Sequence, residues 1–237
     1  MIGGKKAALV IAASSGIGAA TARELATRGH RVAVMARGEA LEDLAGEIGG
    51  LAVRGDYTAR GTIESAVERV TGEWGRLDVV VNSAGHGPKG TLEELTDEQL
   101  ALGFDLYFYN VVRACKAALP VMRSQGGGAI VNISSAAPTE PSPRFPTSMV
   151  ARAAMTTWVK LWSAEVAADG IRVNNVLPGY TVADPATVPS DWVANIPMRR
   201  PASYAEIART VAFLASDDAA YITGQNVRVD GGVTRSV

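Results

Sequence analysis

Apolar runs of four to six residues recur along the chain at 7–12, 31–36, 51–54, 77–81, 129–133 and 171–176. Runs of that length, bounded by glycine and polar clusters, read as strands buried on both faces. Between them, 17–28, 41–48, 62–74 and 149–167 carry apolar residues at helical spacing, with Gly29, Gly49 and Gly170 near their stops. Strands alternating with helices predict a parallel sheet covered on both faces, because parallel neighbours need a crossover and the crossover is right-handed. The expected fold is α/β: a doubly wound, mostly seven-stranded parallel sheet of Rossmann type, closed by the short run 227–229. No break in the alternation marks a second domain, so 1–237 is read as one domain. Segments 142–146 and 180–201 are turn-rich, and the second is expected to form a lid over the substrate.

Composition narrows the function classes. The 237 residues are 47% hydrophobic and 20% charged, with a formal net charge of -1 and no block of like charge. Neither a nucleic-acid nor a membrane-surface partner is expected, and a small-molecule substrate is. The lone Cys115 excludes an internal disulfide and a cysteine-rich metal centre and fits a reducing compartment, so the expected location is the cytoplasm. No leader pattern and no apolar run of ~18 residues occurs. His30 and His86 are too few for a histidine metal site, and no metal is expected. His86 reads as a surface-loop residue and Cys115 as packing.

The first run ends in Ile11-Ala12-Ala13-Ser14-Ser15-Gly16-Ile17-Gly18 and opens a helix. Glycines at such a turn let backbone N–H groups approach a pyrophosphate, and the helix dipole favours the same charge. Ser14, Ser15, Gly16, Ile17 and Gly18 are the candidate phosphate cradle. About twenty residues on, Arg37 ends the second run, where dinucleotide folds discriminate the adenosine ribose. A guanidinium there can clamp a 2′-phosphate, which favours NADP(H) over NAD(H); an ordinary solvated arginine is the alternative.

The order of further motifs, over essentially the whole chain, resembles the short-chain dehydrogenase/reductase family. Ala12 to Gly18 resembles its Thr-Gly-x-x-x-Gly-Ile-Gly loop, with Ala12 in place of the first glycine. Asp56 matches its adenine-contacting aspartate, and Asn82-Ser83-Ala84-Gly85 its Asn-Asn-Ala-Gly turn. Asn174 to Gly179 resembles its Asn-x-Val-x-Pro-Gly turn, and Thr223 to Gly232 its C-terminal signature. The resemblance implies that Asp56, Asn82, Ala84, Gly85, Pro178 and Gly179 serve the cofactor. Ala183 stands where relatives usually hold the carboxamide with a threonine, and Thr181 is a possible substitute. Tyr180 falls where relatives line the substrate pocket.

The reaction centre departs from the pattern. In the family a serine is followed by Tyr-x-x-x-Lys, and an asparagine in the preceding helix completes the proton path. Here Asn132-Ile133-Ser134-Ser135 supplies Ser135, but the next two positions hold Ser148 and Arg152, and the asparagine position holds Tyr107. Ser148 is a far weaker acid than a phenol, and Arg152 does not give up a proton near neutral pH. The usual relay is excluded as a direct copy. Ser135, Tyr107, Ser148 and Arg152 are the candidate catalytic set, with Arg152 also a candidate for the cofactor ribose.

The resemblance implies an NAD(P)H-dependent oxidoreductase with an altered tetrad, acting on a small carbonyl or alcohol or on an activated C=C or C=N bond. Dienoyl-CoA reductases of the family carry Ser-x-x-x-Lys at this place, although their further tyrosine corresponds to Ala137. A non-catalytic cofactor-binding or partner subunit is one rival reading. A non-redox enzyme on the same scaffold is another: halohydrin dehalogenases carry Tyr-x-x-x-Arg, but fill the nicotinamide site with an altered loop. A homodimer or homotetramer through the helices near 104–124 and 148–168 is expected from relatives, with Trp158 and Trp162 on that face.

Overall fold

The computed structural model describes residues 4–135, 140–141 and 145–236, the side chains of 190 and 192 excepted; Ala137 and residues 142–144 lie outside the described residues. The strands in chain order are β1 (Ala7–Ile11), β2 (Arg31–Ala36), β3 (Leu51–Arg54), β4 (Val79–Asn82), β5 (Gly128–Ile133), β6 (Ile171–Pro178), β7 (Thr181–Val182), β8 (Ala202–Ser203) and β9 (Asn226–Val229). The helices are α1 (Gly16–Thr27), α2 (Ala40–Ile48), α3 (Thr62–Trp74), α4 (Asp97–Phe104), α5 (Asn110–Ser124), α6 (Pro146–Val166) and α7 (Tyr204–Ala215). A π-helical turn, Asp105–Tyr109, joins α4 to α5.

Seven strands form one sheet in the order β3-β2-β1-β4-β5-β6-β9, all pairs parallel, as the alternation predicts. Successive residues of each strand feed opposite cores. Val10, Val34, Val81 and Val131 face α1, α2 and α7 through Leu25, Leu44, Ile207 and Val211. Leu9, Met35, Val80 and Ile130 face α3, α5 and α6 through Ile63, Val111, Met155 and Val159. Burial on both sides explains why the strands read as continuous apolar runs. Cys115 is fully buried in the second layer, where burial pushes its thiol pKa up, consistent with packing.

Boundaries differ where a side chain replaces the ladder. The fourth strand begins at Val79, not at 77, because Leu77 exchanges its backbone hydrogen bonds with the Gln125 carboxamide. The last long helix begins at Pro146, whose missing N–H costs nothing in a first turn. Of the three helices missing from the periodicity reading, α4, α5 and α7, the first and last open with reciprocal capping boxes, Thr96 with Gln99 and Ser203 with Glu206.

A cavity of about 270 Å³ opens at the N-terminal ends of the strands, away from every candidate residue. Its charged groups are satisfied within the protein. Lys6 pairs with Asp217, Asp78 with Arg76, and Arg172 donates to the carbonyls of Leu214 and Ser216.

Candidate active site

The C-terminal ends of β1, β4, β5 and β6 bring the sequence candidates to one rim of the sheet. The turn after β1 is built under strain. Ala12 sits at φ +57°, in the left-handed region that L-residues avoid, and Gly16 at φ +59°. Gly18 lies so close to this turn that a Cβ on it would come 2.6 Å from the Ala12 carbonyl oxygen. Ser15 is the N-cap of α1 with extended backbone, and its side chain makes no capping bond. The turn is therefore tight and closely packed on itself, with an alanine rather than a glycine at its first left-handed position.

Arg37 follows β2 with its side chain 75% exposed, and its Nη1 lies 3.5 Å from an Asp56 oxygen. At that length the pair is weak. Burial raises the Asp56 pKa, but the Thr58 hydroxyl and N–H, with the Arg37 charge, outweigh it and hold the carboxyl below its usual range. Arg37 is thus tethered loosely at an open edge, next to a residue that stays ionised.

The 83–87 loop after β4 is clasped by two phenols. Gly85 donates its N–H to Tyr57 Oη at 3.0 Å, and Gly87 donates to Tyr107 Oη at 2.5 Å. Gly87 lies close to Tyr107, and a Cβ on it would come 3.0 Å from Tyr107 Cε2 and Oη. Tyr107 is brought there by the π-helical turn and is 5% exposed. A hydroxyl that accepts one bond still has its own proton to donate. His86, between the two clasped residues, is exposed, as expected of a loop histidine.

Arg152, on the second turn of α6, reaches inward. Its Nη1 donates to the Ile133 carbonyl at 2.7 Å and its Nε to Ser148 Oγ at 3.1 Å, and its guanidinium stacks 4.5 Å from the centre of the Tyr107 ring. It is 8% exposed, and among the described residues it pairs with no carboxylate. Burial pushes its pKa down to about 10, with the Tyr107 and Tyr57 phenols pulling the other way. It still carries its charge at neutral pH. The hydroxyls of Ser134 and Ser135, one and two residues beyond the carbonyl Arg152 holds, are buried and have no hydrogen-bond partner among the described residues.

Beneath these groups runs a ladder of carboxamides absent from the sequence reading. Asn82, Asn132, Asn175 and Asn226 are in register on β4, β5, β6 and β9. Each Nδ2 donates to the next Oδ1, at 2.7, 2.9 and 2.7 Å. Its readable signal was an asparagine at or near the C-terminal end of three successive strands. Tyr57 was also missed, and no spacing rule marks it. The remaining candidates lie on the same rim. Gly179 packs against the Asp230 backbone, its would-be Cβ 2.7 Å from Asp230 Cα, while Thr181 Oγ1 donates to the Gly179 carbonyl. Ala84 is partly buried beside the clasped loop, and Pro178 ends β6. Trp158 and Trp162 stack at 5.2 Å, and Trp162 is already buried within the single chain, so only the outer ring of the pair is left to an assembly face.

Residues 11–234 match the family model described as enoyl-(acyl carrier protein) reductase. The chain is 37% identical over 241 residues to cis-4-hydroxycyclohexanecarboxylate dehydrogenase of Sinomonas cyclohexanicum, covering 97% of each. It is 37% identical over 238 residues to the 3-oxoacyl-(acyl-carrier-protein) reductase FabG of Escherichia coli strain K12, covering 96% of this chain and 97% of that one. Among solved structures, it superposes on YwfH, an NADPH-dependent reductase involved in bacilysin biosynthesis, with a TM-score of 0.91 at 28% identity, covering 99% and 100% of the two chains. L-sorbose reductase from Gluconobacter frateurii, solved with NADPH and L-sorbose, gives 0.88 at 30% identity over 98% of each. The fold, the site at the strand ends and these relatives agree: the chain belongs to the short-chain dehydrogenase/reductase family of oxidoreductases.

Proposed function

We propose that the protein is an NADP(H)-preferring oxidoreductase with an altered tetrad. Its substrate is a small carbonyl or alcohol, or an activated C=C or C=N bond. The observation that carries this reading is the phosphate cradle: Ala12 is held at φ +57° and Gly18 is packed against its carbonyl, a shape maintained at an energetic cost. The residues fit the cofactor. Ser14, Ser15, Gly16, Ile17 and Gly18 would hold the pyrophosphate, Arg37 the 2′-phosphate, Asp56 the adenine side, and Asn82, Ala84, Gly85, Pro178, Gly179 and Thr181 the nicotinamide half. NADPH-dependent relatives support the same choice.

The nicotinamide, when bound, supplies or accepts the hydride. Ser135 donates its unpartnered hydroxyl to the reacting group. Arg152 places a fixed positive charge beside it and keeps N–H groups for the cofactor ribose, while Ser148 holds the guanidinium by its Nε. Tyr107 keeps the one phenolic proton of the candidate set, on an Oη already oriented by Gly87. A pair of fixed donors facing developing negative charge stabilises it without reorganising. The segment 180–201 would cover the substrate, with Tyr180 in its wall. Exposed Tyr109, Val150 and Leu161 on the turn preceding α5 and on α6 would serve a homodimer or homotetramer. A cytoplasmic location suits a chain whose single cysteine is a buried thiol.

Titrating NADPH and NADH by protein fluorescence tests the reading. NADPH should bind more tightly, and Arg37→Asp should reverse the order. Equal affinities in the parent chain, or an order indifferent to Arg37, would refute the preference.

A further inference from the structure

Arg152 is a buried cation that no acid of the described chain answers. Taking a guanidinium out of water costs several kcal/mol unless an anion or a full set of acceptors compensates. Its acceptors here are one backbone carbonyl and one hydroxyl, with an aromatic face alongside. All are neutral, and the Ser148 hydroxyl does not ionise near neutral pH. Five N–H groups are available and the hydrogen bonds use two, so three remain, both of those on Nη2 among them. The Ser135 hydroxyl, also without a partner among the described residues, lies two residues beyond the Ile133 carbonyl that Arg152 grips. The ribose of a dinucleotide is neutral and does not balance the charge.

We infer that the substrate of this site is a small organic acid, whose carboxylate is received by the two Nη2 N–H groups of Arg152, the remaining Nη1 N–H being left for the ribose, with the Ser135 hydroxyl alongside. The inference names the substrate class of the site proposed above and rests on that site being where substrate enters. A planar carboxylate matches the planar guanidinium edge, and the pair forms in surroundings where charge-assisted hydrogen bonds are strong. The residues around the guanidinium fit this assignment. The Tyr107 ring covers one face of it and Ser148 holds Nε, so the group is fixed in orientation before any ligand arrives. A substrate without the charge would leave the cation unbalanced.

The test compares acids with their neutral, isosteric amides: benzoate with benzamide and crotonate with crotonamide, by calorimetry and thermal shift on the whole chain, with and without NADPH. The acids should bind at least ~10-fold more tightly than the amides, and should raise the melting temperature where the amides do not. Arg152→Gln should erase the difference and Arg152→Lys should keep most of it. If the glutamine variant does not fold, the acid-to-amide ratio on the parent chain decides alone. Acids and amides bound alike, or no acid bound at all, overturns the inference. Acid binding that persists when NADPH fails to bind supports the anion site and rejects the oxidoreductase reading instead, so the two fail separately.

Discussion

Replacing Ala12 by glycine should make the protein more stable. An L-residue held in the left-handed region costs roughly 1–2 kcal/mol, and Ala12 sits there at φ +57°. Glycine removes that cost but gives the unfolded chain more freedom, worth roughly 0.4–1 kcal/mol against folding. The difference favours Ala12→Gly by about 1 kcal/mol. For a chain of this size that corresponds to a rise of roughly 2–4 °C in melting temperature. The Ala12 Cβ is only partly buried, so little packing is lost with it. Ala13 is the internal control: it is fully buried in the core, and Ala13→Gly should lower the melting temperature. NADPH affinity in Ala12→Gly should stay within about two-fold of the parent, because the backbone already has the shape that the cofactor requires. The assay is a calorimetric scan with denaturant titration, followed by cofactor titration. A melting temperature that falls in Ala12→Gly would refute the reasoning, since it would mean that the turn is not strained by its side chain.

Two further outcomes follow from the same geometry. Tyr107→Phe should lower turnover at least ~10-fold, the low end for a lost general acid, while NADPH affinity holds; a fully active variant would reduce Tyr107 to a clasp for Gly87. Burial holds the half-buried His30 pKa below its usual value, and its Nε2 has no partner among the described residues. The unfolded chain therefore takes up that proton first, and stability should be complete above the ordinary histidine range and fall as pH drops through it towards the folded pKa. His30→Gln should flatten that part of the stability curve, and an unchanged slope in a pH series of melts would refute it.

Much of this architecture is legible in the sequence, for a physical reason. Strands buried on both sides must be apolar, so the bounds of β2 are legible to the residue, as are those of α3 from its one-sided periodicity. The helix α7 is absent from the periodicity reading, although the Ser203 to Glu206 box that starts it is a local signal in the sequence. The tight turn after β1 is legible because close backbone approach restricts residue type locally. The reaction centre is legible only as a set of departures. That Arg152 grips the Ile133 carbonyl and that Tyr107 clasps Gly87 are contacts across 19 and 20 residues, fixed by how α6 and the π-helical turn pack on the sheet. The asparagine ladder is likewise a matter of strand register, which single positions do not reveal.

The most direct measurement is nicotinamide absorbance with NADPH and a panel of ketones, enones and imines, and with NADP⁺ and alcohols, in the parent chain and in Ser135→Ala. The account predicts turnover with at least one class, lowered in Ser135→Ala while NADPH affinity is retained. A chain that binds NADPH yet reduces or oxidises nothing in the panel, or one whose turnover is indifferent to Ser135, would contradict it.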